Sequence, residues 1–396
     1  MTKESVGNLR LCAGCTACEC TCPVKCIELK EDEMGNRFPH IDKSKCIDCG
    51  ACNKVCPVIS APHAYSPRKG YITRIKQNDV LMSSNSGGLF TALARYILDN
   101  DGVVYGVGFD KDFNVVHIGI TKDRENELSN VRGSKYVQSD LSGVFSEIRE
   151  YLINGRSVCF SGTPCQVAGL KSFLGKEYDN LICVDLVCHG TSSPAYYMNY
   201  IEYMKKKYKA GIREIVFRNK TYGYHSGTMK IVFDNNKSYY GSGRVDPFLR
   251  AYYGGGIYRE ACYECPFKGI ERFGDMTLFD SWHVNELTGR QVDDDKGFTN
   301  VYVNTEKGEE VIDCIRDAID IYEADIESMM KKDGKMIDKS FRKAEYRDKL
   351  LIESRIDFSK SVKQCLEITW TDHLIEKCKC IVSKLKIYRF LSYRRR

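Results

Sequence analysis

The sequence predicts an α/β fold assembled from a small cysteine-bound module, a larger mixed-sheet domain and a helical C-terminal extension. Three observations carry that prediction. Two cysteine runs of one spacing stand near the start. A strand–helix–strand pattern of about 30 residues follows near the middle, which requires parallel pairing. From Lys331 onward the pattern turns helical, polar and lysine-rich.

The runs are Cys12, Cys15, Cys18, Cys22-Pro23 and, 34 residues on, Cys46, Cys49, Cys52, Cys56-Pro57. Each reads C-x2-C-x2-C-x3-C-P, the bacterial-type ferredoxin run that holds 4Fe-4S clusters. In two-cluster modules the fourth cysteine of each run crosses to the other cluster. The spacing therefore assigns Cys12, Cys15, Cys18 and Cys56 to one cluster, and Cys46, Cys49, Cys52 and Cys22 to the other. Zinc usually takes two C-x2-4-C pairs rather than two runs of four with a shared period. A disulfide framework needs an oxidising compartment, whereas the start, MTKESVGNLR, is polar and carries no apolar signal segment. Cys20 and Cys26 fall outside the pattern and read as packed thiols. Between the runs, Ile27 to Leu29 and Phe38 to Ile41 flank Met34-Gly35-Asn36, a hairpin signal.

Composition bounds the rest. The chain has 396 residues, 43% hydrophobic and 28% charged, so a module of about 60 residues leaves room for a domain with its own core. Twenty cysteines without an apolar leader point to a reducing cytoplasm. No stretch approaches the ~20 apolar residues of a membrane span. The net charge is +6, yet Lys377 to Arg396 carries eight Lys or Arg and no acid, so the remainder nets −2. That argues against nucleic-acid binding by the body. The tail repeats Leu374, Cys378, Ile381, Leu385 and Tyr388 at helical spacing amid Lys384, Lys386, Arg389 and Arg394 to Arg396. Such an end either meets an anionic membrane face or an acidic partner, or packs on its own body with its charges in solvent.

Residues 1–62 form the expected two-cluster module, 68–325 the large domain and 326–396 the helical extension. The proline-rich Ala61 to Pro67 is the linker. Tyr71 to Ile75 reads as a strand, and Ser84 to Gly88 opens a helix over Leu89 to Leu98, capped by Ser or Asn. Val103 to Phe109 pairs with Val115 to Ile120, and Leu141 to Ile153 is helical. Ser157 to Phe160, Gln166 to Leu174 and Leu181 to Val187 make the strand–helix–strand unit. Ile212 to Phe217, Thr228 to Phe233 and Asn300 to Val303 add strands; Pro194 to Lys207 and Gly308 to Ile319 add helices.

A second cysteine set lies where loops should be. Cys165 follows one strand of the unit and Cys188 the next, and parallel neighbours end on the same sheet edge. Cys262 and Cys265, a C-x2-C pair before Pro266, complete four thiols. Four suit a third 4Fe-4S cluster, a structural zinc, a redox disulfide within the Cys262/Cys265 pair, or simply unbound thiols. Cys159 and Cys183 sit in apolar strands and read as core. Clusters move electrons singly, and a flavin is the usual converter to hydride chemistry. No dinucleotide or P-loop fingerprint is present. Two anion-friendly places remain: Ser84-Asn85-Ser86-Gly87-Gly88 at a helix start and the cationic turn Arg132-Gly133-Ser134-Lys135-Tyr136.

These motifs occur in order with Gly162-Thr163-Pro164-Cys165-Gln166, Asp185-Leu186-Val187-Cys188-His189-Gly190, Cys262-Tyr263-Glu264-Cys265-Pro266-Phe267, Gly274-Asp275-Met276-Thr277 and Phe279-Asp280-Ser281-Trp282. Over roughly residues 8 to 305 the chain resembles the family of coenzyme F420 hydrogenase/dehydrogenase beta subunits, with a fused two-cluster ferredoxin. The basic extension is most similar to bacterial members encoded near surface-polysaccharide genes. The resemblance implies that Cys165, Cys188, Cys262 and Cys265 hold a 4Fe-4S cluster. It also implies that Ser84 to Gly88, Arg132 to Tyr136 and Gly162-Thr163 contact FAD. The expected function is an iron–sulfur flavoprotein oxidoreductase exchanging a hydride with a deazaflavin-type coenzyme or another small substrate. Its donor or acceptor would be a redox protein or a small molecule. The alternatives are an electron-transfer subunit without its own substrate and a cluster-bearing partner in surface-polysaccharide biosynthesis. No catalytic acid or base is assigned; His189 and His225 read either as proton donors or as structural histidines. The expected location is cytoplasmic, or peripheral at the inner membrane face.

Overall fold

The computed structural model describes residues 5–384. The N-terminal hairpin forms as expected: β1 (Ile27–Glu31) pairs antiparallel with β2 (Arg37–Ile41), Lys30 opposite Phe38. Short helices Ala17–Thr21 and Ala51–Lys54 carry Cys18 and Cys52. The chain bends in the same way before each. Gly14 and Asp48, then Thr16 and Gly50, all take positive φ of 51–70°, so the left-handed turns repeat at the same interval as the cysteines. That path turns successive side chains inward around one centre.

The strands β3 (Lys69–Ile75), β4 (Val103–Phe109), β5 (Val115–Ile120), β6 (Val158–Gly162) and β7 (Leu181–Leu186) begin the large domain. A separate antiparallel sheet follows, made of β8 (Ile212–Asn219), β9 (Thr228–Phe233) and β10 (Ser238–Ser242). The main sheet is completed by β11 (Met276–Ser281), β12 (Phe298–Val303) and β13 (Ile319–Glu323). Its order is β13-β3-β12-β11-β7-β6-β4-β5, with β11, β7, β6 and β4 parallel and the remaining pairs antiparallel. The parallel strands are covered on both faces, which is why β6 is buried throughout and shows no alternation. Leu89, Leu93 and Ile312 pack on one face against Val104, Cys159 and Val184. Phe145, Val167 and Phe173 pack on the other against Tyr105, Phe160 and Cys183.

Several expected boundaries shift for local reasons. The Leu89–Asp99 helix is capped by Gly88 in the left-handed region, not by a Ser or Asn side chain; Ser84 Oγ instead donates back to the Val80 carbonyl at 2.7 Å. The next helix starts at Val144 rather than Leu141, because Asp140 turns the chain by accepting from the Ser142 N–H at 2.9 Å. The helix expected over Gly308 to Ile319 spans Glu306–Cys314, and Ile319 opens β13 with its apolar residues against β3. Ile212 to Phe217 and Thr228 to Phe233 do not join the main sheet.

Candidate metal centres and the adjoining cavity

The crossed assignment of the first run is what the fold brings together. Cys12, Cys15, Cys18 and Cys56 line one small cavity closed by Val6, Leu9, Leu29 and Val58. Cys18 is raised by burial and then by Cys15, Cys12 and Cys56, so the four sulfurs share one electrostatic neighbourhood. Burial pushes Cys15 up to about 12. A thiol there stays protonated until a metal displaces the proton. The second group is more open. Cys52 is raised by burial and then by Cys49 and Cys46; Cys22 lies 3.4 Å from Cys26, which also contacts Cys46. Cys26 therefore stands beside this group, and Cys49 is exposed.

The third set also converges. Cys165 is the second residue of the Pro164–Leu174 helix, whose start is fixed by a capping box between Thr163 and Gln166. Cys188 leaves the carboxyl end of β7, and Cys262 ends a short turn. All four, with Cys265, line a cavity of ≈ 40 Å3 closed from the module side by Leu11 and Ala13. Burial raises Cys165 strongly, followed by Cys265, and pushes Cys188 up to about 12. Donors already face the sulfurs: the Thr191 N–H lies 3.5 Å from Cys262 Sγ, and Thr163 Oγ1 lies 3.1 Å from Cys165 Sγ. Among the described residues no three His, Cys, Asp or Glu close in on a single ion. Each cysteine of a cubane binds a different iron, so its ligands stand wider apart than those of one zinc.

The first and third sets meet back to back. A Cβ built on Gly169, in the Pro164–Leu174 helix that carries Cys165, would come within 2.8 Å of Cys15 Sγ. Arg259, 1% exposed, fixes the same junction. Its guanidinium donates to the carbonyls of Cys12 (2.7 Å) and Arg37 (2.9 Å) and to Gln138 Oε1 (2.9 Å), and lies 4.2 Å over Phe38. On the rim, Arg10 forms a two-pronged pair with Glu264 at 2.8 and 2.6 Å.

Beyond the third set opens a cavity of ≈ 860 Å3 at the carboxyl edge of the parallel strands, where ligands of α/β sheets bind. It falls in the size range of ligand pockets, about 300–1,000 Å3. Cys188, His189 and Gly190 line both cavities, so they form a shared wall. Ser84, Asn85, Ser86, Gly88, Arg132 to Tyr136, Gly162 and Thr163 all line it. Gly87 does not: it is wedged between β3 and β12, where a Cβ would meet the Thr73 carbonyl at 2.3 Å, and its N–H donates to Thr299 Oγ1. Arg132 is braced by Thr91 and Ser83, and Lys135 donates to the Asn130 and Arg132 carbonyls. Burial pulls Lys135 down to about 7. Three polar atoms of the wall, Asn85 Nδ2, His189 Nδ1 and Arg218 Nη2, are buried without a protein partner. His189 is held down to about 4 by burial and by Lys268. His225 lines the cavity beside Asp293, 3.1 Å from its Nε2.

Sequence reasoning missed Arg218, which pairs with Asp280 at 2.6 Å and lies over Trp282. It also missed Glu376 and Lys379, which reach the cavity from the C-terminal helix. The Gly274-Asp275 motif is a brace: Asp185 accepts from the Gly274 N–H, Asp275 from the Cys183 N–H, and Arg272 pairs with Asp185 in full burial.

Relatives with known names cover the same two parts of the chain. The F subunit of the F(420)H(2) dehydrogenase of Methanosarcina mazei is 22% identical over 340 residues, covering 83% of this chain and 88% of that one. A ferredoxin 7Fe of Hydrogenibacillus schlegelii is 44% identical over 54 residues, 13% of this chain and 63% of that one. The F420-reducing [NiFe] hydrogenase complex from Methanosarcina barkeri contains a chain matched with a TM-score of 0.44 at 15% identity, over 76% of this chain and 92% of that one. Residues 11–59 match the 4Fe-4S dicluster domain, and residues 155–329 match the C terminus of the coenzyme F420 hydrogenase/dehydrogenase beta subunit. The chain thus joins a 4Fe-4S dicluster domain, residues 11–59, to a segment matching the C terminus of the coenzyme F420 hydrogenase/dehydrogenase beta subunit, residues 155–329, and is an iron–sulfur protein related to the electron-transfer subunits of those enzymes.

Proposed function

We propose that the chain is an iron–sulfur flavoprotein oxidoreductase with three 4Fe-4S clusters and FAD. The ligand sets are Cys12/Cys15/Cys18/Cys56, Cys46/Cys49/Cys52/Cys22 and Cys165/Cys188/Cys262/Cys265. One observation carries the reading: the third cysteine set and the large cavity share the Cys188-His189-Gly190 wall, while Leu11 and Ala13 close the set from the module side. Clusters held there would supply electrons singly, and a flavin in the large cavity would supply the conversion of two such electrons and one proton into a hydride for a small substrate such as a deazaflavin-type coenzyme.

The protein's own residues prepare that exchange. The free N–H groups at the Leu89 helix start, with Arg132 at the same wall, suit a pyrophosphate. Asn85 Nδ2 and Arg218 Nη2 supply unspent donors for a polar ring edge, and His189 Nδ1 a further polar atom that donates or accepts according to its tautomer. Tyr136, stacked on Tyr252 at 4.4 Å, gives an apolar wall. Val58, Phe267 and Phe273 keep water from the path between the first and third cysteine sets.

Anaerobically reconstituted protein is expected to hold ~12 iron atoms, four per cubane, and one FAD per chain. Iron near four, or no flavin under any reconstitution, sinks the reading. The exposure of Cys49 and Ile47 favours a second reading, an electron-transfer subunit that serves a partner protein without a substrate of its own. Stopped-flow mixing with reduced deazaflavin and other small hydride donors separates the two, since only the first reading gives direct reduction of the isolated chain.

A further inference from the structure

The C-terminal helix Trp370–Lys384 is amphipathic in the reverse sense. Its polar side faces the protein: Glu376 accepts from the Ser242 N–H (2.9 Å) and hydroxyl (2.8 Å), and Asp372 pairs with Arg244 at 3.2 Å. Lys379 donates to the Ser226 carbonyl and reaches the large cavity with Glu376. Asp372, Glu376 and Lys379 fall on one face at spacings of four and three. The opposite face carries Trp370, Leu374, Cys378 and Ile381, and these point to solvent, with Trp370, Leu374 and Ile381 exposed by 75%, 49% and 59%. A surface helix ordinarily buries such a stripe in its own protein. Here the inner hydrogen bonds fix the helix so that its stripe faces outward.

We propose that this helix docks the chain on an anionic lipid bilayer. Three features select that occupant. The stripe is rich in the residues that enter the headgroup boundary, Trp and large aliphatics. In the sequence Leu385 and Tyr388 keep the same four- and three-residue spacing, beyond the described residues. From Lys377 to the end there are eight cations and no acid, complementary to anionic headgroups. A second copy fits poorly, since the two basic tails flanking the stripes would repel. Apolar contact alone anchors a short helix weakly, and the basic tail supplies the second attraction a stable peripheral contact needs. Docking sets the mouth of the large cavity, where Ile375 and Arg244 lie, beside the lipid surface.

Flotation of the full-length holoprotein with vesicles tests this. We expect it to float with vesicles of equal parts phosphatidylglycerol and phosphatidylcholine, to stay behind with phosphatidylcholine alone, and to be released by salt. Replacing Trp370→Ser, Leu374→Gln and Ile381→Gln together should lower partitioning by about tenfold or more, with iron content and circular dichroism unchanged. The emission of Trp370, isolated against a Trp370→Phe variant, should shift to the blue on vesicles. Failure to float on anionic vesicles, as expected if the stripe serves an acidic protein instead, overturns the proposal. Equal flotation of the triple variant, or no emission shift, does so as well.

Discussion

The two halves of the dicluster module share a motif, a repeat interval and a backbone path, yet they sit in unlike surroundings. The first group, with Cys56, is closed in and backed by the Pro164–Leu174 helix through Gly169. The second leaves Cys49 and Ile47 in solvent. Spacing dictates how a chain wraps a cluster; only the tertiary contact decides which group is enclosed and which exposed, and so, under the proposed electron path, which is the relay and which the outlet. An exposed group can meet a partner, while a buried one bridges inward.

The contrast can be broken most severely by removing one cysteine from each half. Cys18→Ser should abolish reduction of the large domain by protein donors and by small reductants acting through the module. Cys49→Ser should block protein donors alone, since small reductants still reach the first group. Anaerobic iron analysis and stopped-flow absorbance check both; identical behaviour of the two variants would refute the division into relay and outlet.

A milder test compares Gly14→Ala with Asp48→Ala, the two equivalent left-handed positions. A Cβ at Gly14 would meet Gln138 at 2.6 Å and the Arg37 carbonyl at 3.1 Å. We expect a loss of about 2–4 kcal/mol from strain and crowding at position 14, against within about 1 kcal/mol at position 48, read by anaerobic denaturant unfolding. Equal losses would mean that the docking contact does not constrain the first half.

A pH titration, gradual rather than all-or-none, separates the body from the module. His117 is buried, its Nε2 facing the Ser161 carbonyl at 3.1 Å and its Nδ1 facing Ser139, and burial holds it down to about 4. The folded state therefore refuses a proton that the unfolded chain accepts near its ordinary value of 6.5. Stability of the large domain should be full above that value and fall as pH drops toward about 4, by at most about 1.4 kcal/mol per unit. His117→Gln should flatten the slope in pH-dependent unfolding; an unchanged slope would assign the acid sensitivity elsewhere.

Cysteine spacing made the module readable because a cubane leaves little freedom in where its ligands fall. The strand–helix–strand unit was equally plain, since buried parallel strands read as unbroken apolar runs. Ile319 misled for a related reason: after a helix, Ile319-Asp320-Ile321 alternates too briefly to be told from another helical turn. Arg218 was invisible because its partner Asp280 lies 62 residues away. Gly87 looked like part of the ligand cradle, yet its neighbours Thr73 and Thr299 come from distant strands. Motifs reported identity and order; long-range contacts decided which members face the cavity.

The left-handed turn at Gly14 has one more consequence. A module with internal twofold likeness offers two near-equivalent ways of lying against the same body, and a wrong landing would strand the redox chain. Gly14 admits the close approach of Gln138 and Arg37, whereas its counterpart Asp48 is exposed and its carboxylate faces Cys46 Sγ at 3.6 Å. That difference sets the two halves apart: Gly14 lies under Gln138 and Arg259 of the large domain, a place that a carboxylate like that of Asp48 would crowd.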